Sequence, residues 1–306
     1  MSGPETLEIE RAGGVVTVTL NRPEKLNAMN DAMFAELGQV FAEVADNDDD
    51  RVLVITGRGR GFCSGADLSA RAEAALAAAA GGSGAPGTGT ASGPAGRSDA
   101  AGPPGATVTA AAGAGAANGT RPRHSLDQMR WIGDAALRLY RLAKPTIAKV
   151  NGVAAGAGCN LALGCDLVVA STEARFSQIF ARRGLSLDFG GSWLLPRIVG
   201  LHKAKELALL ADITPAEEAL RIGLVNRVVP ADQLDAVVDD WATRLAAGPP
   251  LALSMTKTML DNSFAVSMDQ ALEDEARCQA VNLVTEDVAE AGLAFLEKRT
   301  PTFRGR

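Results

Sequence analysis

Two short runs constrain this chain most: Val52-Leu53-Val54-Ile55-Thr56 and Thr146-Ile147-Ala148-Lys149-Val150, each largely apolar and each followed at once by a glycine-rich turn. A nearly continuous apolar run has no polar face to turn to water. It therefore reads as a strand covered on both sides, as in a parallel sheet flanked by helices. Other segments build around this pair. Residues 7–11 and 15–20 read as a β-hairpin turning at Gly13-Gly14. Asn30 or Asp31 can cap a helix whose Met33, Leu37, Val40, Phe41 and Val44 recur at helical spacing. A helix over 125–143 stops at Pro145, a short one covers 157–165, and 166–170, 174–177 and 225–229 read as strands. Further on, helices are expected at 190–198, 201–211, 214–221, 230–247, 250–262, 267–284 and 286–297. Strand–helix units followed by helices give an α/β core over 1–200 and a helical part over 201–306.

The segment 69–123 differs in kind. It is built almost wholly of Ala, Gly, Ser, Pro and Thr, and Leu76 and Val108 are its only large aliphatics. Such a composition buries too little apolar surface to offset the ordering of its backbone, about 1–2 kcal/mol per residue. Residues 81–122 are therefore expected to be a disordered insertion, with an Ala-rich helix over 69–80.

Composition removes several function classes. The net charge is −6 and the basic residues form no stripe, which speaks against nucleic acid as a partner. No apolar run of about 18 residues occurs, and the first residues show neither a basic start nor an apolar stretch. A cytoplasmic protein with no membrane partner is expected. Cys63, Cys159, Cys165 and Cys278 form no CxxC pair, so no metal site is expected; the first three, in apolar or Gly-rich segments, read as buried small hydrophobes.

The turns Gly61-Phe-Cys-Ser-Gly-Ala-Asp-Leu68 and Asn151-Gly-Val-Ala-Ala-Gly-Ala-Gly-Cys159 are where chemistry can sit. Small residues let a ligand approach the backbone, and the second turn opens a helix, whose first N–H groups lack acceptors and carry partial positive charge. One N–H from each turn would suit an oxyanion.

Together these turns and the run Arg175-Phe-Ser-Gln-Ile-Phe-Ala-Arg-Arg-Gly-Leu-Ser-Leu-Asp-Phe-Gly-Gly-Ser-Trp193 resemble the crotonase (enoyl-CoA hydratase/isomerase) superfamily. The resemblance covers nearly all of the chain outside the insertion. It implies a crotonase (ClpP-like) spiral of ββα units with a helical C-terminal trimerisation region, hence a homotrimer or homohexamer. It also implies an acyl-CoA thioester as ligand, with CoA part of the substrate and no separate cofactor. The family's oxyanion donors match Ala66 and Ala157. Asn21-Arg-Pro-Glu-Lys-Leu-Asn-Ala28 resembles its first CoA-binding loop, so Lys25, Leu26 and Ala28 are expected to touch adenine and pantetheine, with Ser64, Asp67 and Leu68 around them. Phe295 and Lys298, in the C-terminal signature, match residues that reach CoA, often across a subunit interface.

Two departures matter. Where hydratases of the family carry glutamates, this chain has Asn160 and Phe180, and neither exchanges a proton near neutral pH. Both are expected to line the ligand. The acid left for the chemistry is Asp188, matching the catalytic aspartate of several crotonase isomerases and of the 4-chlorobenzoyl-CoA dehalogenases. The Asp-x-Gly-Gly-Ser-Trp run is most similar to the ring-epoxide/oxepin-CoA isomerase type of phenylacetate catabolism. The dehalogenases also need a histidine, which would fall near Gly133, whereas the histidines here are His124 and His202. The resemblance thus implies an enoyl-CoA isomerase with Asp188 as the proton carrier. The alternatives are a hydratase with an atypical base, or an acyl-CoA-binding homologue without catalysis. Apart from the resemblance, Asp188 reads rather as the cap of helix 190–198.

Overall fold

The computed structural model describes residues 4–69 and 124–306. The insertion expected over 81–122, and all but the first residue of the helix expected over 69–80, lie outside the described residues. The chain divides into two units, residues 67–130 and the rest.

β1 (Leu7–Ala12) and β2 (Val15–Leu20) form the hairpin, antiparallel and in register from Leu7–Leu20 to Ala12–Val15. Gly13 and Gly14 make its turn at φ 58° and 81°, a conformation that side chains disfavour. α1 (Asp31–Asp46) starts at Asn30, whose side chain accepts from the Met33 N–H; Met33, Phe34, Leu37, Val40, Phe41 and Val44 are its buried stripe. β3 (Val52–Gly57) and β4 (Gly61–Cys63) follow, then α2 (Ser125–Tyr140), β5 (Thr146–Val150), β6 (Val153–Ala155), α3 (Ala157–Leu163), β7 (Leu167–Ser171) and β8 (Arg175–Ser177). The remainder is α4 (Gly191–Val199), α5 (Leu201–Leu210), β9 (Thr214–Pro215), α6 (Ala216–Arg221), β10 (Arg227–Val229), α7 (Leu234–Ala246), α8 (Pro250–Asn262), α9 (Met268–Asn282) and α10 (Glu286–Glu297).

A six-stranded sheet runs β1-β2-β3-β5-β7-β10, parallel from β2 onward, and a four-stranded sheet runs β4-β6-β8-β9. Repeated passage from the large sheet to the small one and back through a helix is the ββα spiral. β3 explains its own sequence: Leu53 and Ile55 face the main core, while Val52 and Val54 pack with Ile147, Val169 and the α7 residues Leu234 and Val238. Both faces are dry, so neither needs polar side chains.

The structure corrects several expectations. β4 and β6 lie within segments read only as turns, because three residues are too few to show a period. From beyond residue 200, β9 adds to the small sheet, β10 adds to the large one, and α7 covers the large one. Residues 214–215 are strand rather than helix.

α8 is tied to the core by Lys257, whose Nζ donates to Asp166 Oδ2 at 2.8 Å and to the Lys144 carbonyl at 3.1 Å. Beyond it, large apolar residues are exposed along α8 to α10, among them Phe264, Val284, Phe295 and Leu296. The last residues fold back onto the start of α10, where Asp287 accepts from the Arg304 and Gly305 N–H groups at 2.7 and 2.9 Å. Among the described residues no helix is long and apolar enough to cross a membrane.

Candidate active site

The two glycine-rich turns meet. Gly65 has φ 103°, and a Cβ there would lie 2.9 Å from the Ala155 carbonyl and 3.7 Å from the Ala157 nitrogen. A Cβ on Gly158 would lie 2.4 Å from the Cys63 carbonyl oxygen. Both contacts are closer than a side chain permits, so glycine is what lets the turns abut. Ala157 is the first residue of α3, and its N–H has no acceptor within the helix. Across the junction, Met29 N donates to the Gly65 carbonyl at 2.8 Å, and Met29 pairs with Ala66 in a parallel bridge. In that pattern the paired residue's own N–H turns away from the partner strand. Ala66 and Ala157 therefore sit at the seam where the turns touch.

The segment 25–29 is laced to the first turn. Ser64 N donates to the Leu26 carbonyl at 2.9 Å, and Ser64 Oγ donates to the Lys25 carbonyl at 3.1 Å. Leu26 and Asn27 hold left-handed φ values of 49° and 56°. Buried Asn27 stabilises that bend: its amide donates to the Gly61 carbonyl at 2.8 Å, and its oxygen accepts from Arg22 N at 2.9 Å. Lys25, Leu26, Ala28 and Ser64 are thus brought together with Ala66. In the unit comprising residues 67–130, Asp67 accepts from Ser69 N and Oγ at 3.1 and 2.5 Å, a local turn contact; Leu68 follows it in the chain.

On the other side of Ala157 the wall is aromatic. A Cβ on Gly156 would meet the Phe180 ring at 3.7 Å, so this ring lies beside the residue that precedes α3. Asn160, one turn into α3, is fully buried. Its Nδ2 donates to the Asp188 carbonyl at 2.8 Å, and its Oδ1 accepts from Gln178 Nε2 at 2.8 Å. The Asn160 amide thus engages protein at both ends, joining the Asp188 turn to Gln178.

Asp188 stands on a turn with unusual backbone. Phe189 and Gly190 take left-handed φ values of 48° and 80° in succession. Phe189 is buried with its ring centroid 6.0 Å from that of Phe34, which in turn meets Trp131 edge-on at 6.2 Å. Anchoring by this cluster offsets the cost of left-handed backbone at a non-glycine residue. Gly190 occupies the N-cap of α4, and the Gly191 N–H donates to the Asp188 carbonyl at 3.0 Å. The Asp188 main-chain oxygen thus meets the helix start directly.

Phe295 and Lys298 lie at the end of α10, with Phe295 83% exposed and Lys298 in the left-handed position that closes the helix. The chain by itself does not pack Phe295 into its own core. Burial pushes the Cys63, Cys159 and Cys165 thiols up to about 12, so they are inert as nucleophiles near neutral pH. Among the described residues no group of His, Cys, Asp and Glu could hold a metal ion.

Gln178 was not legible in advance. Its only signal is that it and Asn160 are the amides in two otherwise small or apolar stretches, Gly152–Ala162 and Phe176–Ala181, and 18 positions separate them.

Two abutting glycine-rich turns on a ββα spiral define a crotonase-fold protein. The family model for enoyl-CoA hydratase/isomerase matches residues 10–85 and 105–306, and the chain belongs to that family. It is 36% identical over 293 residues to the 1,2-epoxyphenylacetyl-CoA isomerase of Escherichia coli (strain K12), covering 96% of each chain. It is 34% identical to the 2,3-dehydroadipyl-CoA hydratase of the same organism, covering 98% of this chain and 99% of the relative. Among solved structures, an enoyl-CoA hydratase/isomerase from Cupriavidus metallidurans superposes with a TM-score of 0.77 at 30% identity, covering 100% of this chain and 98% of the other.

Proposed function

We propose that this crotonase-family acyl-CoA enzyme is an isomerase that shifts a double bond in an enoyl-CoA thioester, with Asp188 as its single proton carrier. The Asp188 carboxylate removes a C2 proton from a 3-enoyl thioester. The electron pair moves through C2 and the alkene, and negative charge collects on the thioester oxygen. The Ala66 and Ala157 N–H groups stabilise that oxyanion; one such donor is worth about 3–4 kcal/mol in the transition state. The carboxylic acid then returns the proton to C4, giving the 2-enoyl thioester with no net change in atoms or charge. Lys25, Leu26, Ala28 and Ser64 hold the CoA portion, and Asp67 and Leu68 adjoin them in sequence. Phe180 keeps the wall beside Ala157 apolar and so disfavours a bound attacking water.

The observation that carries this reading is the pairing at positions 160 and 180. A buried amide and an aromatic ring leave neither position able to exchange protons, while Asp188 is presented by a purpose-built turn. The name of the E. coli isomerase supports it, and the name of the E. coli hydratase supports hydration as the second reading. The exposed apolar face of α8–α10 supports assembly into a trimer or a dimer of trimers, in which Phe295 and Lys298 reach CoA on a neighbouring copy.

Asp188→Asn is the test. Incubated in deuterated water with 3-enoyl-CoA and 2-enoyl-CoA, the parent protein should exchange C–H positions and interconvert the isomers. The variant should lose about 10²–10⁴-fold of both rates while binding acyl-CoA as before. Full activity in the variant would remove Asp188 from the mechanism and leave an acyl-CoA-binding protein as the stronger reading.

A further inference from the structure

We infer that Gln178 and Asn160 form a one-way amide relay that sets the position of the Asp188 turn, which makes Gln178 a positioning residue for the proton carrier. The inference rests on Asp188 being that carrier.

The direction of the relay follows from its far end. The Asp188 main-chain carbonyl can only accept, so Asn160 must turn its NH₂ toward it, and does so at 2.8 Å. The Asn160 oxygen then faces Gln178, which must donate, as its Nε2 does at 2.8 Å. Gln178 is itself buried, and its Oε1, on the side away from Asn160, has no hydrogen-bond partner among the described residues. An acceptor left without a partner in the interior is costly. It is tolerated here because turning the Gln178 amide over would set two oxygens face to face at the Asn160 contact.

Sterics close the relay from the other side. A Cβ on Gly191 would lie 2.3 Å from Asn160 Nδ2, so the amide fills the space between α3 and the start of α4. The same Gly191 donates its N–H to the same Asp188 carbonyl at 3.0 Å. Two donors, one from each helix, thus hold a single oxygen, and the left-handed pair Phe189–Gly190 begins at the next residue. Position 160 serves a different purpose from the glutamate that the family resemblance would set there. A carboxylate at 160 has no N–H to give, would face the Asp188 carbonyl with like charge, and as glutamate would be a methylene too long for the gap.

Two variants test this. Gln178→Met keeps the length and removes the donor to Asn160. Asn160→Asp keeps the shape and the bond from Gln178 but removes the donor to Asp188. Displacement of a reacting group by about 1 Å costs about a hundredfold in rate. Each variant that retains the parent far-UV circular dichroism should therefore lose kcat by about ten- to a hundredfold with KM little changed, the loss larger for Asn160→Asp. A crystal structure of the same variant should show the 188–190 turn displaced. Unchanged kcat, or a turn in its original place, would overturn the relay. If the parent protein isomerises nothing, the assignment of Asp188 has failed instead, and the turn's position in the variant crystals then decides the relay alone.

Discussion

Gly191→Ala perturbs the site at its tightest point, and the structure sets the size of the effect. The added methyl would sit 2.3 Å from Asn160 Nδ2 and 2.8 Å from both Cγ and Oδ1. Asn160 has no exposed side to retreat to, and both ends of its amide are engaged. Overpacking of this kind costs about 1–3 kcal/mol. Pushing Asn160 off the Asp188 carbonyl leaves buried polar groups unsatisfied, a further cost of about 1–3 kcal/mol. The two share one displacement and do not simply add, so a loss of about 3 kcal/mol is expected. At about 2 °C per kcal/mol for a chain of this size, the melting temperature should fall by roughly 6 °C. Differential scanning calorimetry reads this directly, beside Gly190→Ala as comparison. At φ 80°, with Leu194 Cδ1 at 3.4 Å, that substitution carries chiefly the left-handed backbone penalty of about 1–2 kcal/mol and should melt higher than Gly191→Ala. An unchanged melting temperature for Gly191→Ala would refute the account of a rigid amide wedged between α3 and α4.

Other outcomes can be checked in solution. Hydration of crotonyl-CoA should run about 10²–10⁴-fold below ordinary hydratases of the family for each missing acid or base; comparable turnover would mean a base other than Asp188. A thiol reagent at pH 8 should label Cys278 in the native protein and reach Cys63, Cys159 and Cys165 only on unfolding. With thiols pushed up to about 12, only about one in 10⁴ of these is thiolate at that pH. Light scattering at micromolar concentration should return the mass of three or six chains, and a monomer would contradict the role given to the exposed face of α8–α10.

What could be read in advance depended on how many residues carried each signal. β3 announced itself through a continuous apolar run, and α1 through five apolar residues at helical spacing behind Asn30 or Asp31; the structure adds Phe34 to these and settles the cap on Asn30. β4, β6 and β9 are two or three residues long and left no pattern. Turn residues Gly65 and Gly158 could be marked as sites of close approach, yet which backbone they approach is a tertiary fact. At the candidate site, Asp188 drew notice through family resemblance, whereas from its neighbours alone it read as a helix cap. Gln178 stayed invisible because a single amide in a strand-like stretch is ordinarily an edge residue. Its partner at 160 lies on another element, and no periodicity joins them.

The contact between the glycine-rich turns has a bearing on how such a protein can change. What lies at the seam is largely main chain against main chain: Gly158 faces the Cys63 carbonyl, with the Cys63 side chain beside it, and Gly65 faces the Ala155 carbonyl. Main-chain atoms do not mutate, and the glycines that let them meet admit no replacement without parting the turns. The residues that vary the chemistry in the proposed function, at 160, 180 and 188, act through side chains instead. Substitution there can change a side chain while the main-chain seam stays where it is. A frame of this kind separates inheritance of the backbone seam from choice of side chain. Directed evolution starting from this chain should therefore find new proton-transfer outcomes by varying the side chains at 160, 180 and 188, and should find inactive, poorly folded protein by varying the seam.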